Sequence, residues 1–284
     1  TCLVSVQELA ESATSSWRIF DCRFRLADPA AGKRAYAEGH LPGAMFLDLE
    51  EDLSGPRSGL NGRHPLPDPQ HLAAKLGSLG VGPDTQVVAY DDMGGMFAAR
   101  LWWLLRWLGH TRVAVLDGGL QAWQAAGGAM AQGDEPAHFQ SNFALGAPLR
   151  RLVTVQEVLA TLGQPCQTIV DARATPRYRG EVEPLDPVAG HIPGALNRPF
   201  AQNIGPDGCF KSAEQLRSEF ANLLGQRPAA SVVHQCGSGV SAIRMMLVCP
   251  WRLTIRHRIV PAVVVRCWLM TDLIERIRCL TCLR

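Results

Sequence analysis

A cysteine followed at once by small residues is the feature of this sequence most suited to chemistry. Between Val232 and Ala242, a β-branched pair predicts the end of a buried strand, and Cys236 and a predicted helix start follow it. Gly237 and Gly239 allow the backbone to curl, so that successive N–H groups point at the sulfur with a helix N-terminus behind them. Such a cradle stabilises the nucleophilic thiolate. The alternative interpretation is a buried structural cysteine at a strand end, which the two glycines disfavour.

A group of arginines precedes this loop and predicts a site for an anion. Arg173, Arg177 and Arg179 follow a short predicted strand within a few residues of one another. Their guanidinium groups are suited to hold an anionic substrate, and their charge further favours a thiolate nearby. The alternative is a solvated basic loop whose arginines pair with Glu181 and Glu183.

The elements that position these residues follow from an internal repeat with an offset near 150 residues. Both copies begin with a capping-box pattern, Ser5 with Glu8 and Thr154 with Glu157. Three further segments recur: Ile19–Arg23 as Ile169–Arg173, Gly39–Ala44 as Gly190–Ala195, and Val87–Asp91 as Val232–Cys236. The repeat predicts an α/β fold with two tandem units, each a short parallel sheet flanked by helices.

The two copies differ at the position of the cysteine. The first copy has Asp91 where the second has Cys236, and a carboxylate can neither attack nor carry sulfur. We therefore expect a non-catalytic first domain (residues 1–136), a linker (137–150) and a catalytic second domain (151–242), with the site near their interface. In the first domain, an apolar helix from Ala98 to Leu108 carries three tryptophans, for which we predict a packing role.

The last segment, residues 243–284, departs from the rest of the chain. It contains no glycine or lysine and four of the nine cysteines. Eight arginines against two acidic residues give it a net charge of +6, which leaves −4 on the rest of the chain. The change indicates out-of-frame or otherwise foreign sequence, with a divergent ending as the alternative. This tail completes or replaces the end of the second domain. We expect the domain to lose its own version of the closing strand and helix, and Pro261 limits Val263–Val265 to an edge strand. The helix behind Cys236 must then be built from Ile243–Val248.

Composition narrows the class of protein. The chain has 284 residues, 47% hydrophobic and 19% charged, and a net charge of +2, which argues against a role in nucleic-acid binding. Nine scattered cysteines without a framework spacing predict free thiols and a reducing, cytoplasmic location. Cys279 and Cys282 have no second pair to complete a metal site. Pro261 and Arg266 interrupt the most apolar late stretch, so no membrane span is expected.

Four motifs in combination resemble those of the tandem rhodanese-type sulfurtransferases. They are Gly39–Ala44, Asp117–Trp123, Gly190–Ala195 and the Cys236 loop. The resemblance covers roughly residues 3 to 242. It implies that Cys236 takes sulfane sulfur from a small anionic donor, forms a persulfide and passes the sulfur to cyanide or a thiol. The loop residues Gly237, Gly239, Val240 and Ser241 would contribute to substrate binding, and no metal or organic cofactor would be required.

The resemblance leaves the donor open between thiosulfate and 3-mercaptopyruvate. The Cys236 loop is similar to that of the mercaptopyruvate branch, in which a loop serine works with a first-domain histidine. Here these would be Ser238 and His40. The alternative is that His40 only ties its own turn together, as His191 is expected to do in the second copy. The branch also implies Arg177 as a substrate anchor, with Arg179 close to it. A second anchoring arginine of that branch is missing from Glu183–Asp186.

Two other functions remain as alternatives. A cysteine phosphatase of the same fold needs an arginine six residues after the cysteine, where this chain has Ala242. The other alternative is a catalytically impaired rhodanese that acts as a binding module because of its tail. The sequence does not define the oligomeric state.

Overall fold

The computed structural model describes residues 2–59, 61–136, 139–186 and 188–248, and the backbone of 258–259. Within these residues the chain forms two five-stranded parallel sheets, which confirms the predicted α/β class. No helix in the described part of the chain is both long and apolar enough to cross a bilayer.

The first sheet is built from the first copy of the repeat. Its strands are β1 (Leu3–Val4), β2 (Trp17–Asp21), β3 (Ala44–Phe46), β4 (Gln86–Tyr90) and β5 (Val113–Leu116). They lie in the order β1-β5-β4-β2-β3. The helices are α1 (Val6–Ser12), α2 (Ala31–Glu38), α3 (Pro69–Ser78), α4 (Ala98–Trp107) and α5 (Gly119–Ala125). The α4 helix confirms the predicted apolar helix to within one residue.

The second sheet repeats this order strand for strand. Its strands are β6 (Arg151–Leu152), β7 (Thr168–Asp171), β8 (Leu196–Asn197), β9 (Val232–Gln235) and β10 (Arg258–Ile259). They lie in the order β6-β10-β9-β7-β8, so β9 corresponds to β4 and β7 to β2. The helices are α6 (Val155–Ala160), α7 (Thr175–Arg179), α8 (Ala213–Leu224) and α9 (Val240–Val248), with short 3₁₀ turns at Phe200–Asn203 and Ala229–Ser231.

The closing strand corrects one expectation from the sequence. The second sheet does not lack this strand, because β10 pairs in parallel with both β6 and β9. Sheet pairing uses backbone N–H and C=O groups, which every non-proline residue supplies, so the unusual tail still completes the sheet. The predicted helix from Ile243 is confirmed by α9, whereas Val263–Val265 lie outside the described residues.

The repeated helix starts are local features that the sequence predicts well. Ser5 Oγ accepts the N–H of Glu8 at 3.1 Å, and Glu8 Oε2 accepts the N–H of Ser5 at 2.8 Å. Thr154 and Glu157 make the same two bonds at 3.2 and 2.7 Å. Both capping boxes are confirmed, because each joins residues only three positions apart.

The two units share one hydrophobic core in which α4 packs against α9. Trp102 and Trp103 are fully buried and belong to the same cluster as Ile243 and Met246 of α9. The predicted packing role of the tryptophans is therefore confirmed. The loops that precede α4 and α9 are brought together by this contact, and the second of them contains Cys236.

Candidate active site

The Cys236 loop connects the end of β9 to the start of α9. The side chain is buried, with 5% of its surface exposed. Its Sγ accepts the N–H of Gly239 at 3.1 Å and the N–H of Ala242 at 3.3 Å. Gly239 adopts a φ of 75°, a conformation that favours glycine and turns the loop around the sulfur. Two backbone amides therefore point at the sulfur, an arrangement that stabilises negative charge on it.

The loop at the corresponding place in the first unit is closed by Asp91. Its carboxylate is buried and accepts four backbone N–H groups, from Met93, Gly95, Phe97 and Ala98, at 2.7 to 2.8 Å. Burial is the largest influence and raises the pKa of Asp91, while the four N–H groups lower it. This loop keeps the amide cradle but contains no nucleophile.

A small cavity lies against the Cys236 loop, and both units contribute to its wall. Its volume is about 170 Å³. The first unit supplies Leu26, Arg63, His64, Met96 and Phe97. The second supplies Arg177, Leu185, Phe200, Gly237, Ser238, Val240 and Ser241. The cavity is large enough for a donor of a few heavy atoms and contains both apolar and cationic groups.

Arg177 is the predicted anchor that the structure brings to this cavity. Its side chain is 18% exposed, and Glu183 accepts its Nη2 at 2.6 Å and its Nε at 3.2 Å. Asp186 Oδ2 accepts the same Nη2 at 3.0 Å. Glu183 is itself buried, and although burial raises its pKa, its bonds to Arg177 and to backbone N–H groups lower it overall. Glu183 therefore stays ionised and holds the guanidinium at the cavity wall.

The other two arginines of the predicted group do not line the cavity. Arg179 is 64% exposed, does not line the cavity and has Glu181 at 3.7 Å, as the alternative interpretation expects. Arg173 is buried and makes a fork with Asp171 at 2.7 Å. Arg23 and Asp21 make the same fork in the first unit, so this pair supports the repeated strand. Arg173 Nη1 also lies 3.5 Å from Glu183 Oε2, the partner of Arg177.

The structure does not bring His40 to Ser238. His40 is fully buried, and its Nδ1 contacts Tyr36 O at 2.8 Å while its Nε2 contacts Glu135 at 3.3 Å. Its ring stacks on Tyr36 at 4.0 Å, as His191 stacks on Tyr178 at 3.7 Å. A histidine with the same contacts in both copies ties its turn together. These contacts do not support the pairing of His40 with Ser238 that the sequence predicted.

His64 is a first-unit histidine that does line the cavity, and it was missed by the sequence analysis. It lines the same cavity as Ser238, is 1% exposed, and neither ring nitrogen makes a hydrogen bond to a described residue. Burial, with Arg100 and two further arginines nearby, lowers the pKa of His64 to about 3. The imidazole is neutral at neutral pH. The sequence contains one indication of a special role for His64: the second copy has no histidine at the corresponding position, about 150 residues later.

Comparison with known proteins places this arrangement in a family. The Rhodanese-like domain matches residues 5–126. A probable 3-mercaptopyruvate sulfurtransferase of Pseudomonas aeruginosa is 52% identical over 247 residues, which cover 84% of this chain and 85% of that protein. The chain belongs to the rhodanese family. It is accordingly a rhodanese-type sulfurtransferase in its enzyme class.

Other rhodanese relatives carry both donor names. A putative thiosulfate sulfurtransferase of Mycobacterium tuberculosis is 40% identical over 84% of each chain. The crystal structure of SseA from Escherichia coli, described with the 3-mercaptopyruvate sulfotransferases, superposes with a TM-score of 0.76 at 30% identity. It covers 92% of this chain and 97% of SseA. The fold extends over both units, and the names do not select one donor.

The rhodanese site also contains a buried cation from the first unit. Arg100 of α4 is 2% exposed, and the carbonyls of Leu53, His64 and Pro65 accept its guanidinium at 3.0 to 3.3 Å. Burial lowers the pKa of Arg100 to about 10, and negative charge on Cys236 opposes this shift. The Arg100 guanidinium would therefore attract a thiolate at Cys236.

Arg244 does not provide the arginine of a phosphatase cradle. Ala242 occupies the position six residues after Cys236, and its N–H contacts the sulfur. Arg244 instead stacks over Phe200 and Phe210 at 5.3 and 5.4 Å. A methyl group on Gly94 of the Asp91 loop would lie 2.5 Å from its Nη2. The guanidinium therefore reaches the opposite loop, away from an anion bound at Cys236.

Proposed function

We propose that this rhodanese moves sulfane sulfur from thiosulfate or 3-mercaptopyruvate to cyanide or a thiol, through a persulfide on Cys236. The observation that carries the proposal is the Cys236 sulfur itself. It accepts two backbone N–H groups beside a cavity that Arg177 lines. Nucleophile, charge stabilisation and substrate anchor are thus present in one site.

The first half-reaction with thiosulfate is a displacement at sulfur. The Cys236 thiolate attacks the sulfane sulfur and forms a new S–S bond, while the bond to the sulfonate group breaks and sulfite leaves with its electron pair. Arg177 holds the sulfonate oxygens, and the amides of Gly239 and Ala242 stabilise the charge that remains on the persulfide. No proton is transferred in this step.

With 3-mercaptopyruvate the carbon–sulfur bond breaks instead. The thiolate takes the sulfur, and the thiol proton ends on the methyl carbon of pyruvate. This route needs proton transfer, and we assign it to Ser238 together with His64, which line one cavity. His40 has no part in it.

The second half-reaction returns the enzyme to its starting state. Cyanide carbon attacks the outer sulfur of the persulfide and leaves as thiocyanate, while the Cys236 thiolate is regenerated. A thiolate acceptor leaves as a persulfide in the same way. The chemistry needs no external oxidant, and the Cys236 sulfur is the only protein atom that gains and loses the transferred sulfur.

The domain roles follow from these assignments. The unit that starts at residue 151 supplies the nucleophile and Arg177, and the first unit supplies His64 to the shared cavity. The described cysteines, at positions 2, 22, 166, 209 and 236, carry free thiols, which supports the proposed cytoplasmic location.

Sulfur loading tests the proposal directly. Incubation with thiosulfate should add about 32 Da, one sulfur atom, to the intact wild-type protein. Cys236→Ser should abolish the addition, because a hydroxyl cannot form a persulfide. Cys166→Ser is the matched control, since Cys166 is an exposed free thiol, and this variant should load normally.

Each other outcome points to one of the alternatives. Normal loading of folded Cys236→Ser would contradict the site. A folded wild-type protein that never takes up sulfur would favour the binding module. Hydrolysis of a phosphate ester in the absence of sulfur transfer would favour the phosphatase.

A further inference from the structure

The cavity at Cys236 contains a second arginine that the proposed function does not use. Arg63 belongs to the first unit, in a segment without regular structure, and its side chain is 24% exposed. Its Nη1 donates to Asp186 Oδ1, and its Nε is buried without a partner among the described residues. Arg177 donates to the other oxygen of the same carboxylate. One carboxylate therefore lies between two guanidinium groups from different units.

The two guanidinium groups also meet at Gly237, the residue next to the nucleophile. A methyl group on Gly237 would lie 2.6 Å from Arg63 Nη2 and 3.6 Å from Arg177 Nη2, with Asp186 Oδ2 at 3.1 Å. Gly237 directly follows Cys236, and consecutive Cα atoms are about 3.8 Å apart, so this charge cluster lies close to the nucleophile. The absence of a side chain at Gly237 keeps this space open.

The two carboxylates in this cluster are held differently. Glu183 is 5% exposed, and besides Arg177 it accepts the backbone N–H groups of Leu185 and Asp186 and Nη1 of Arg173. Asp186 is 20% exposed, and its carboxylate bonds only to the two arginines among the described residues. Glu183 is thus a fixed partner of Arg177, whereas Asp186 is the more exposed carboxylate, whose place between the two arginines an incoming anion can take.

We propose that Arg63 and Arg177 together bind the anionic end of the sulfur donor, and that Asp186 occupies this two-arginine site when the donor is absent. The assignment rests on the proposed function and deepens it. The first unit then supplies the second anchor that Glu183–Asp186 lacks. The catalytic cavity is complete only with an arginine from each unit.

The position of the site selects a class of donor. In thiosulfate the anionic group is bonded directly to the sulfur that is transferred, and it carries charge for two guanidinium groups. In 3-mercaptopyruvate the carboxylate is three bonds from the sulfur. Because both arginines lie beside Gly237, the site favours compact donors of the thiosulfate type.

Steady-state kinetics with both donors test this assignment. Arg63→Gln should raise the KM for thiosulfate about tenfold, the loss of one charge-assisted contact, and the KM for 3-mercaptopyruvate by no more than about threefold. The kcat values should stay within about twofold of wild type. Arg63→Lys should recover part of the loss, and Asp186→Asn should lower the KM for thiosulfate, because the competing carboxylate is gone. Arg34→Gln, which removes a surface ion pair of the same unit, is the matched control.

A second measurement does not depend on turnover. Sulfate, an unreactive dianion, should protect Cys236 of the wild-type protein against alkylation by iodoacetamide, and Arg63→Gln should lose most of this protection. Equal protection in both proteins, or an equal rise in KM for both donors, would overturn the two-arginine site. If the wild type turns over neither donor, the proposed function fails, while the sulfate experiment still decides the anion site.

Discussion

The Asp91 loop and the Cys236 loop share one architecture and differ in the residue that accepts the backbone N–H groups. Each follows a central strand and leads into a helix of the shared core, α4 or α9. Asp91 accepts four backbone N–H groups, whereas Cys236 accepts two at longer distances. The fold thus provides an anion cradle twice. The residue type decides whether the cradle is a structural contact or a reactive centre.

The arginines of the two helices add to this comparison. Arg100 of α4 is held by three carbonyls within electrostatic reach of Cys236, and Arg244 of α9 reaches Gly94 on the Asp91 loop. Each helix thereby carries a buried cation that interacts electrostatically with the acidic group of the other unit's loop, Cys236 or Asp91.

Replacing Asp91 should produce the largest change in stability. In Asp91→Asn, one amide oxygen can satisfy only part of the four N–H donors, and the new NH₂ group faces the rest. Buried donors without acceptors cost about 1–3 kcal/mol each, so we expect a loss of about 3 kcal/mol in the free energy of unfolding. Urea unfolding measures it.

Asp84→Asn is the control for this substitution, because the Asp84 side chain is 91% exposed. Sulfur loading of Cys236 should persist in folded Asp91→Asn. A loss no greater than that of Asp84→Asn would show that the Asp91 cradle does not stabilise the fold.

On the Cys236 side of the comparison, His64 should make the free energy of unfolding depend on pH. The folded-state pKa of about 3 lies below the ordinary value of 6.5, so below pH 6.5 the unfolded chain binds a proton that the folded protein does not. Above pH 6.5 the neutral imidazole therefore does not reduce the free energy of unfolding. As the pH is lowered from 6.5 to 3, that free energy falls by about 1.4 kcal/mol per pH unit.

Between pH 7 and pH 5 this contribution amounts to about 2 kcal/mol. We expect the difference in unfolding free energy between wild type and His64→Gln to change by this amount, as measured by urea unfolding at each pH. The corresponding difference for His71→Gln, an exposed histidine, should stay constant. A difference for His64→Gln that is independent of pH would contradict burial of a neutral imidazole.

Substitutions of Arg177 and Arg179 test which arginine beside the Cys236 loop binds the donor. Arg177→Ala should raise the KM for the donor about tenfold, which corresponds to about 1.4 kcal/mol of binding, with a smaller effect on kcat. Arg179→Ala removes an exposed arginine outside the cavity, and its KM should match wild type. An unchanged KM in Arg177→Ala would remove this residue from the site.

Local patterns predicted the parts of the fold that neighbouring residues determine. The capping boxes at Ser5 and Thr154, the α4 helix and the strand before Cys236 all depend on residues a few positions apart. The amide contacts to Cys236 follow from glycines within its own loop. These features need no knowledge of the tertiary structure.

The parts of the site that the sequence did not predict depend on contacts between distant segments. Arg63 and Asp186 are 123 residues apart, and His64 lies in a segment without periodicity, so no local pattern connects them to the loop. The catalytic role of His40 came from the resemblance to the mercaptopyruvate branch, and its contacts fit the alternative of a histidine that ties its own turn together. Its counterpart His191 shows that recurrence in both copies indicates a structural role here.

The carboxylate of Asp91 has one further consequence. An aspartate side chain places its oxygens two bonds beyond Cβ, the distance in bonds at which a persulfide places its outer sulfur. In the proposed mechanism, the carboxylate of Asp91 is thus a shape analogue of a persulfide on Cys236. We expect the charged outer sulfur of such a persulfide to accept backbone N–H groups as the Asp91 oxygens do.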